Sequence, residues 1–443
     1  MVGIGPFITI PLFIAAMNGP QALIAWVIAA ILVICDGLVW SELGAALPGS
    51  GGTYHFLREI FGKQNSRWAR MLPFLYVWQF LVSGTMEIAS GYSGAVPYLK
   101  YIWPQLSEML AQCQIPGGTS SLAAACALLV TWLLSRRIEV VGWLGIVLCT
   151  GTLITVATVI ISGQSAVFYG LTHADSNLLT FPPDAFKIDG KWIHGLGAAM
   201  LIAIYDYLGY YNICNLGEEV RDPGRTIPRA VIISVVLVAM LYLSMNLSII
   251  AVVPWQEAMK SDQIAALFME TLYGRNVAVI FTGLILWTVV ACVFSITLGY
   301  SRIPFAAAKN GDFLASFARV HPTKHYPTVS LWTVGLLTAV FCYLPLATVI
   351  ETAVTVRILV QFVAQILGLH VMRTTRPDIV MPFRMWLYPI PSLIALFGWL
   401  FVLGNRMEYF VSVGMVIASG MIIYVLFVEK PAAPVRPAEP GTT

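Results

Sequence analysis

The sequence predicts an all-α polytopic membrane protein. Three observations carry that prediction. Of 443 residues, 58% are hydrophobic and only 11% charged, and the mean hydropathy is +0.80. A soluble domain carries about 25% charged residues, so one water-facing core could not hide this much apolar surface. Apolar segments close to the ~20 residues that span a bilayer recur from end to end. Between them, Lys and Arg alternate between rich and poor connections, as the positive-inside rule requires.

Twelve segments follow in order, near 6–18, 20–46, 72–98, 120–135, 138–162, 194–216, 228–253, 277–306, 328–345, 346–370, 388–404 and 409–428. The first and fourth are short. With a cytoplasmic N-terminus, 18 Lys and Arg fall inside, Arg58, Arg136, Arg221, Arg302 and Arg373 among them. Six fall outside, at Lys100, Lys187, Lys191, Lys260, Arg275 and Arg406, and Arg357 is left within a segment. A miscounted helix would scramble that bias, so it supports the count and puts both termini in the cytoplasm, most simply of a cell-membrane protein. The opening residues, MVGIGPFITIPLF, lack a basic region and a cleavage site, and read as the start of the first segment. The Pro- and Ala-rich end, residues 429–443, has no apolar periodicity and reads as a disordered tail.

Several function classes are excluded. A net charge of +3 is too small to imply a nucleic-acid partner. The seven cysteines show no C-x-x-C or Cys/His spacing, and all but Cys113 lie in apolar stretches, as packing residues do. No nucleotide loop or nucleophile elbow is present, and the histidines fall mainly in loops and helix ends, against a membrane enzyme. Repeated polar rings, expected of a channel, are also missing. No cofactor or metal is implied.

Two segments look interrupted. Gly3-Ile4-Gly5-Pro6 combines two permissive glycines with a proline suited to a helix's first turn. A helix starting there would aim free N–H groups and a partial positive charge at a substrate carboxylate. The other reading is a frayed chain start, and these residues alone leave both open. The second place is Tyr205-Asp206-Tyr207-Leu208-Gly209-Tyr210-Tyr211-Asn212, midway through an apolar stretch. A helix broken at Leu208–Gly209 would end in free carbonyls, and Asp206 would add to their attraction for an amine. A snorkelling Asp in an aromatic belt is the alternative; apolar residues on both sides weigh against it. Two broken helices about five spans apart point to a transporter of inverted repeats with its site at the midplane.

The connections carry a resemblance. Ser41-Glu42-Leu43-Gly44-Ala45-Ala46-Leu47-Pro48-Gly49 through Thr53-Tyr54, then Arg58-Glu59-Ile60-Phe61-Gly62, resembles the loop after helix two of amino acid–polyamine–organocation (APC) permeases. Glu218-Glu219-Val220-Arg221-Asp222-Pro223 with Ile227-Pro228-Arg229 is similar to their motif after helix six. Ser301-Arg302, Lys309-Asn310-Gly311-Asp312 and Val320-His321-Pro322 resemble the stretch after helix eight. Arg376-Pro377-Asp378, Pro382-Phe383-Arg384 and Leu387-Tyr388-Pro389 resemble that between helices ten and eleven. Val82-Ser83-Gly84-Thr85-Met86-Glu87 is similar to a segment of plant-type polyamine uptake transporters, and there is some similarity to L-type amino-acid transporters.

The resemblance implies a five-plus-five inverted-repeat core over 1–370, two further helices over 371–428, and substrate held between broken helices one and six. It implies that Gly3, Ile4 and Gly5 take a carboxylate, that Tyr205 is an aromatic gate, and that Tyr207, Leu208 and Gly209 line the unwound turn. Glu87 would act in substrate or proton binding, or be satisfied by a neighbouring helix. Family members have the first half of helix one before the Gly-x-Gly turn, whereas two residues stand there in this chain, so the first half of helix one is expected to be absent from it. Many proton-dependent relatives carry a lysine in helix five where this sequence has Thr152, which leaves proton or sodium coupling open. The expected function is secondary active transport of amino acids, cationic ones among them, by alternating access. A polyamine substrate is the alternative.

Overall fold

The computed structural model describes residues 3–62, 67–136, 141–172, 180–324 and 326–428. Expectations placed on the intervening residues, on Lys63, Arg137, His173, His325, and on the tail with Lys430 and Arg436, lie outside them. Seventeen α-helices are present in the described residues: α1 Gly5–Met17, α2 Leu23–Ala46, α3 Thr53–Leu57, α4 Arg67–Ile102, α5 Leu106–Gln112, α6 Thr119–Leu134, α7 Val141–Phe168, α8 Gly190–Tyr207, α9 Pro223–Val252, α10 Trp255–Ala258, α11 Ile264–Tyr273, α12 Arg275–Lys309, α13 Thr328–Phe341, α14 Leu346–Arg357, α15 Ala364–Thr375, α16 Ile390–Gly404 and α17 Phe410–Ile423. Among those residues there is no strand, only isolated bridges at Ser50–Leu216 and Val320–Pro327.

Each predicted apolar segment has a helical counterpart. Among the described residues, six helices are long and apolar enough to cross a membrane, and α1, α6, α11, α13 and α16 are shorter apolar ones. Large side chains such as Ile146, Ile280 and Phe397 stand exposed on the outside, where acyl chains replace water as solvent.

The structure departs from the sequence reading in the connections and in the sixth segment. Short helices α3, α5, α10 and α11 occupy stretches read as plain loops. Helix α11 shows why: its ten residues are too few to span, yet Ile264, Ala265, Phe268 and Met269 bury one face. The segment predicted over 194–216 is α-helical only to Tyr207 and continues as 3-10 turns at Asn212–Asn215 and Gly217–Glu219. The tenth segment runs from α14 to α15 through a π-helical turn, Ile358–Val363, directly after Arg357.

Helix α1 lies along α8, and α8 packs on α2. Helix α4 packs against α12 and α14 on the other side of the site. The indole of Trp26 on α2 is buried and packs edge-on against Phe13 of α1 and Tyr207 of α8.

Candidate substrate site

Helix α1 begins where the glycines allow it. Ile4 caps it, Pro6 occupies the first turn, and the Phe7 amide closes on the Ile4 carbonyl at 2.9 Å. Its 13 residues, about 20 Å at 1.5 Å per residue, span only part of a bilayer. The amides of a helix's first turn lack partners within the helix, so a partial positive charge gathers at Gly3–Gly5. Just ahead of the helix, Gly3 N–H donates to Tyr242 Oη on α9 at 3.0 Å.

Helix α8 stops because Leu208 turns to ψ 150° and Gly209 takes φ +99°, a region that favours glycine. The Leu208 amide folds back onto the Tyr205 carbonyl at 3.2 Å. This is the break predicted at Leu208–Gly209. It leaves the C-terminal end of α8, with its partial negative charge, beside the N-terminal end of α1.

The two ends meet at Asp206. Thr9 Oγ1 donates to Asp206 Oδ2 at 2.5 Å. Asp206 Oδ1 is buried with no partner in the described residues, in a side chain only 4% exposed. A Cβ on Gly5 would stand 2.1 Å from that oxygen, so a side chain here would have to displace the carboxylate.

A cavity of about 50 Å³ opens there. It is lined by Gly3, Ile4 and Gly5 of α1, Glu87 and Gly91 of α4, Tyr205, Asp206 and Leu208, Tyr242 of α9, and Cys292, Val293 and Ile296 of α12. A single water needs roughly 10–15 Å³ by such a measure, so a few polar atoms fit, the scale of an ammonium and a carboxylate on one carbon. Tyr205 is held across it, its hydroxyl 2.5 Å from Ser90 Oγ on α4.

Seven sequence-predicted residues therefore line one cavity: Gly3, Ile4, Gly5, Tyr205, Asp206, Leu208 and Glu87. Three do not. Tyr207 faces away and packs edge-on against Trp26 at 5.3 Å. Gly209 shapes the turn through its backbone. Thr152 is buried on α7 with its hydroxyl bonded to the Leu148 carbonyl at 3.1 Å, off the cavity wall.

Glu87 is also not the free acid that a negative field for cations would need. Arg357 Nη2 lies 2.6 Å from Glu87 Oε2, and Tyr300 donates to the same oxygen at 2.8 Å. Arg357 is fully buried, bonds Ser83 Oγ at 3.0 Å and Tyr211 Oη at 3.3 Å, and sits over the rings of Phe80 and Tyr300. Its sequence signal was plain, an arginine deep in an apolar run; its partner was not. Tyr242 and Cys292 carried no such signal, and Cys292, read as a packing residue, lines the cavity.

A family model described as amino acid permease matches residues 1–429. The chain belongs to the amino acid permease family. The permease is 28% identical to the mouse Asc-type amino acid transporter 1 over 412 residues, 91% of this chain and 72% of that one. It is 28% identical to the human large neutral amino acids transporter small subunit 2, over 86% of this chain and 68% of the other. With the branched-chain amino acid permease of Bacillus subtilis it shares 23% over 97% of its own length and 91% of the relative's. With its membrane-crossing helices, the permease is an integral multi-pass membrane protein.

Proposed function

We propose that this permease is a secondary active transporter that carries amino acids by alternating access, gripping the substrate's charged backbone between the start of α1 and the end of α8. One observation carries the proposal: two opposed helix ends and a half-satisfied Asp206 converge on a single cavity. The amides at Gly3–Gly5 would take the carboxylate, with Tyr242 releasing or sharing the Gly3 amide. Asp206 and the terminal carbonyls of α8 would take the α-ammonium. Tyr205 would close over the substrate.

The family and the relatives' names support amino acids over polyamines. A polyamine brings no carboxylate and would leave the start of α1 unmatched. The two helix ends five spans apart suit a five-plus-five inverted-repeat core over 1–370, with α16 and α17 as additions. The Lys and Arg distribution favours a cytoplasmic position for both termini. The driving ion would be a proton or sodium, and with Thr152 in place of a lysine the titrating group would have to lie elsewhere.

Proteoliposomes containing the purified permease test this. Radiolabelled alanine or leucine should accumulate, unlabelled amino acids should compete, and their decarboxylated amines should not. Replacing sodium, or collapsing a proton gradient with an ionophore, identifies the coupling ion. No uptake of any amino acid above empty liposomes would overturn the proposal.

A further inference from the structure

We infer that Arg357 sets the charge selectivity of the site: by neutralising Glu87 in the cavity wall, it restricts the permease to amino acids with uncharged side chains. This rests on the amino acid reading above. The described charged groups that line or back the cavity are Asp206, Glu87 and Arg357. A zwitterionic backbone uses the end of α1 for its carboxylate and Asp206 for its ammonium. The remaining acid, Glu87, could hold the ammonium of a lysine side chain. Arg357 already occupies it, at 2.6 Å from Oε2, with Tyr300 on the same oxygen.

The geometry makes that occupation durable. Arg357 is itself anchored by Ser83 and Tyr211 and lies between aromatic faces. It does not line the cavity, so a substrate cannot reach it and displace it directly. Exchanging Arg357 for a substrate cation would strand a guanidinium in the protein interior, where an unpaired charge is strongly unfavourable. A third charge brought by a substrate side chain therefore finds no partner. Arg357 acts through Glu87 and is a positioning residue.

The test is competition against labelled leucine in proteoliposomes, with lysine and alanine as inhibitors. In wild type, lysine should compete at least tenfold more weakly than alanine. In Arg357→Gln, lysine should gain at least tenfold relative to alanine, because Glu87 is then open to the substrate's ammonium. In Glu87→Gln/Arg357→Gln that gain should disappear. A purely structural pair would cost stability in Arg357→Gln and leave the lysine-to-alanine ratio where it was, and that result overturns the inference. So does a wild type in which lysine competes as well as alanine, a measurement that needs no variant to fold. Leucine uptake in wild type separates the two failures: if it is present and lysine is not discriminated, the selectivity inference alone falls.

Discussion

Gly5 has no room for a side chain, and what would be struck is the carboxylate that the site depends on. A Cβ there would lie 2.1 Å from Asp206 Oδ1, and Thr9 holds the other oxygen in place. Gly5→Ala should therefore displace Asp206 and reduce uptake at least tenfold, with normal membrane insertion; near-normal uptake would show that this placement of the carboxylate is dispensable. Asp206→Asn tests the role assigned to the acid. Losing a charge-assisted hydrogen bond costs about 1.5–3 kcal/mol, a factor of ten or more in affinity. If Asp206 holds the α-ammonium, every amino acid should weaken together in binding assays. Selective weakening of lysine alone would mean that Asp206 reads side chains instead.

The element that matters most is the sixth span, where helix formation fails over two residues. Leu208 at ψ 150° ends the hydrogen-bond ladder, and Gly209 at φ +99° lets the chain turn without a Cβ in the way. Any other residue at that angle is strained by about 1–3 kcal/mol. Gly209→Leu should abolish uptake, and Gly209→Ala should lower it to a similar extent, because either side chain puts a Cβ on the positive φ and pushes the turn back toward helix. Gly209 lies off the cavity wall, so the cause is backbone strain and not filled space. Unaltered leucine uptake by Gly209→Leu, in protein shown to be inserted, would remove the break from the mechanism. Asp36 supports the same region from α2: Tyr210, just past the break, donates to one carboxylate oxygen and Trp399 of α16 donates to the other at 3.2 Å.

Across the whole molecule, distant spans are tied by ion pairs of unequal depth. Arg373 of α15 grips Glu42 of α2 with two bonds of 2.6 Å, and the Met385 amide adds a third at 2.9 Å to a fully buried carboxylate. Arg58 pairs with Asp312 at 2.8 Å, but its side chain is 36% exposed. Breaking a buried pair by removing one partner costs about 3–5 kcal/mol, against roughly 0–1 kcal/mol for an exposed one. Arg373→Met should therefore lower the melting temperature in detergent clearly, and Arg58→Met little. Equal shifts, followed by tryptophan fluorescence on heating, would contradict that ordering.

The membrane-spanning elements were legible in the sequence because their cause is local: a run of apolar residues must leave water wherever the rest of the chain goes. The broken sixth span was legible for a similar reason, since Asp206 and Gly209 are costly in an uninterrupted apolar helix. The short helices α5 and α11 were not, because ten residues or fewer become helical through the surface that they bury against neighbours. Glu87 shows the same limit at the site. Its neighbours in sequence indicate an acid at membrane depth and leave open whether it meets a substrate, a proton or another helix. Only the folding of α4 against α14 decided that. It brings Arg357 to Ser83, 274 positions away, and sets the guanidinium against Glu87. A charge in a low-dielectric interior is governed by its nearest partner in space, and spacing along the chain does not specify that partner.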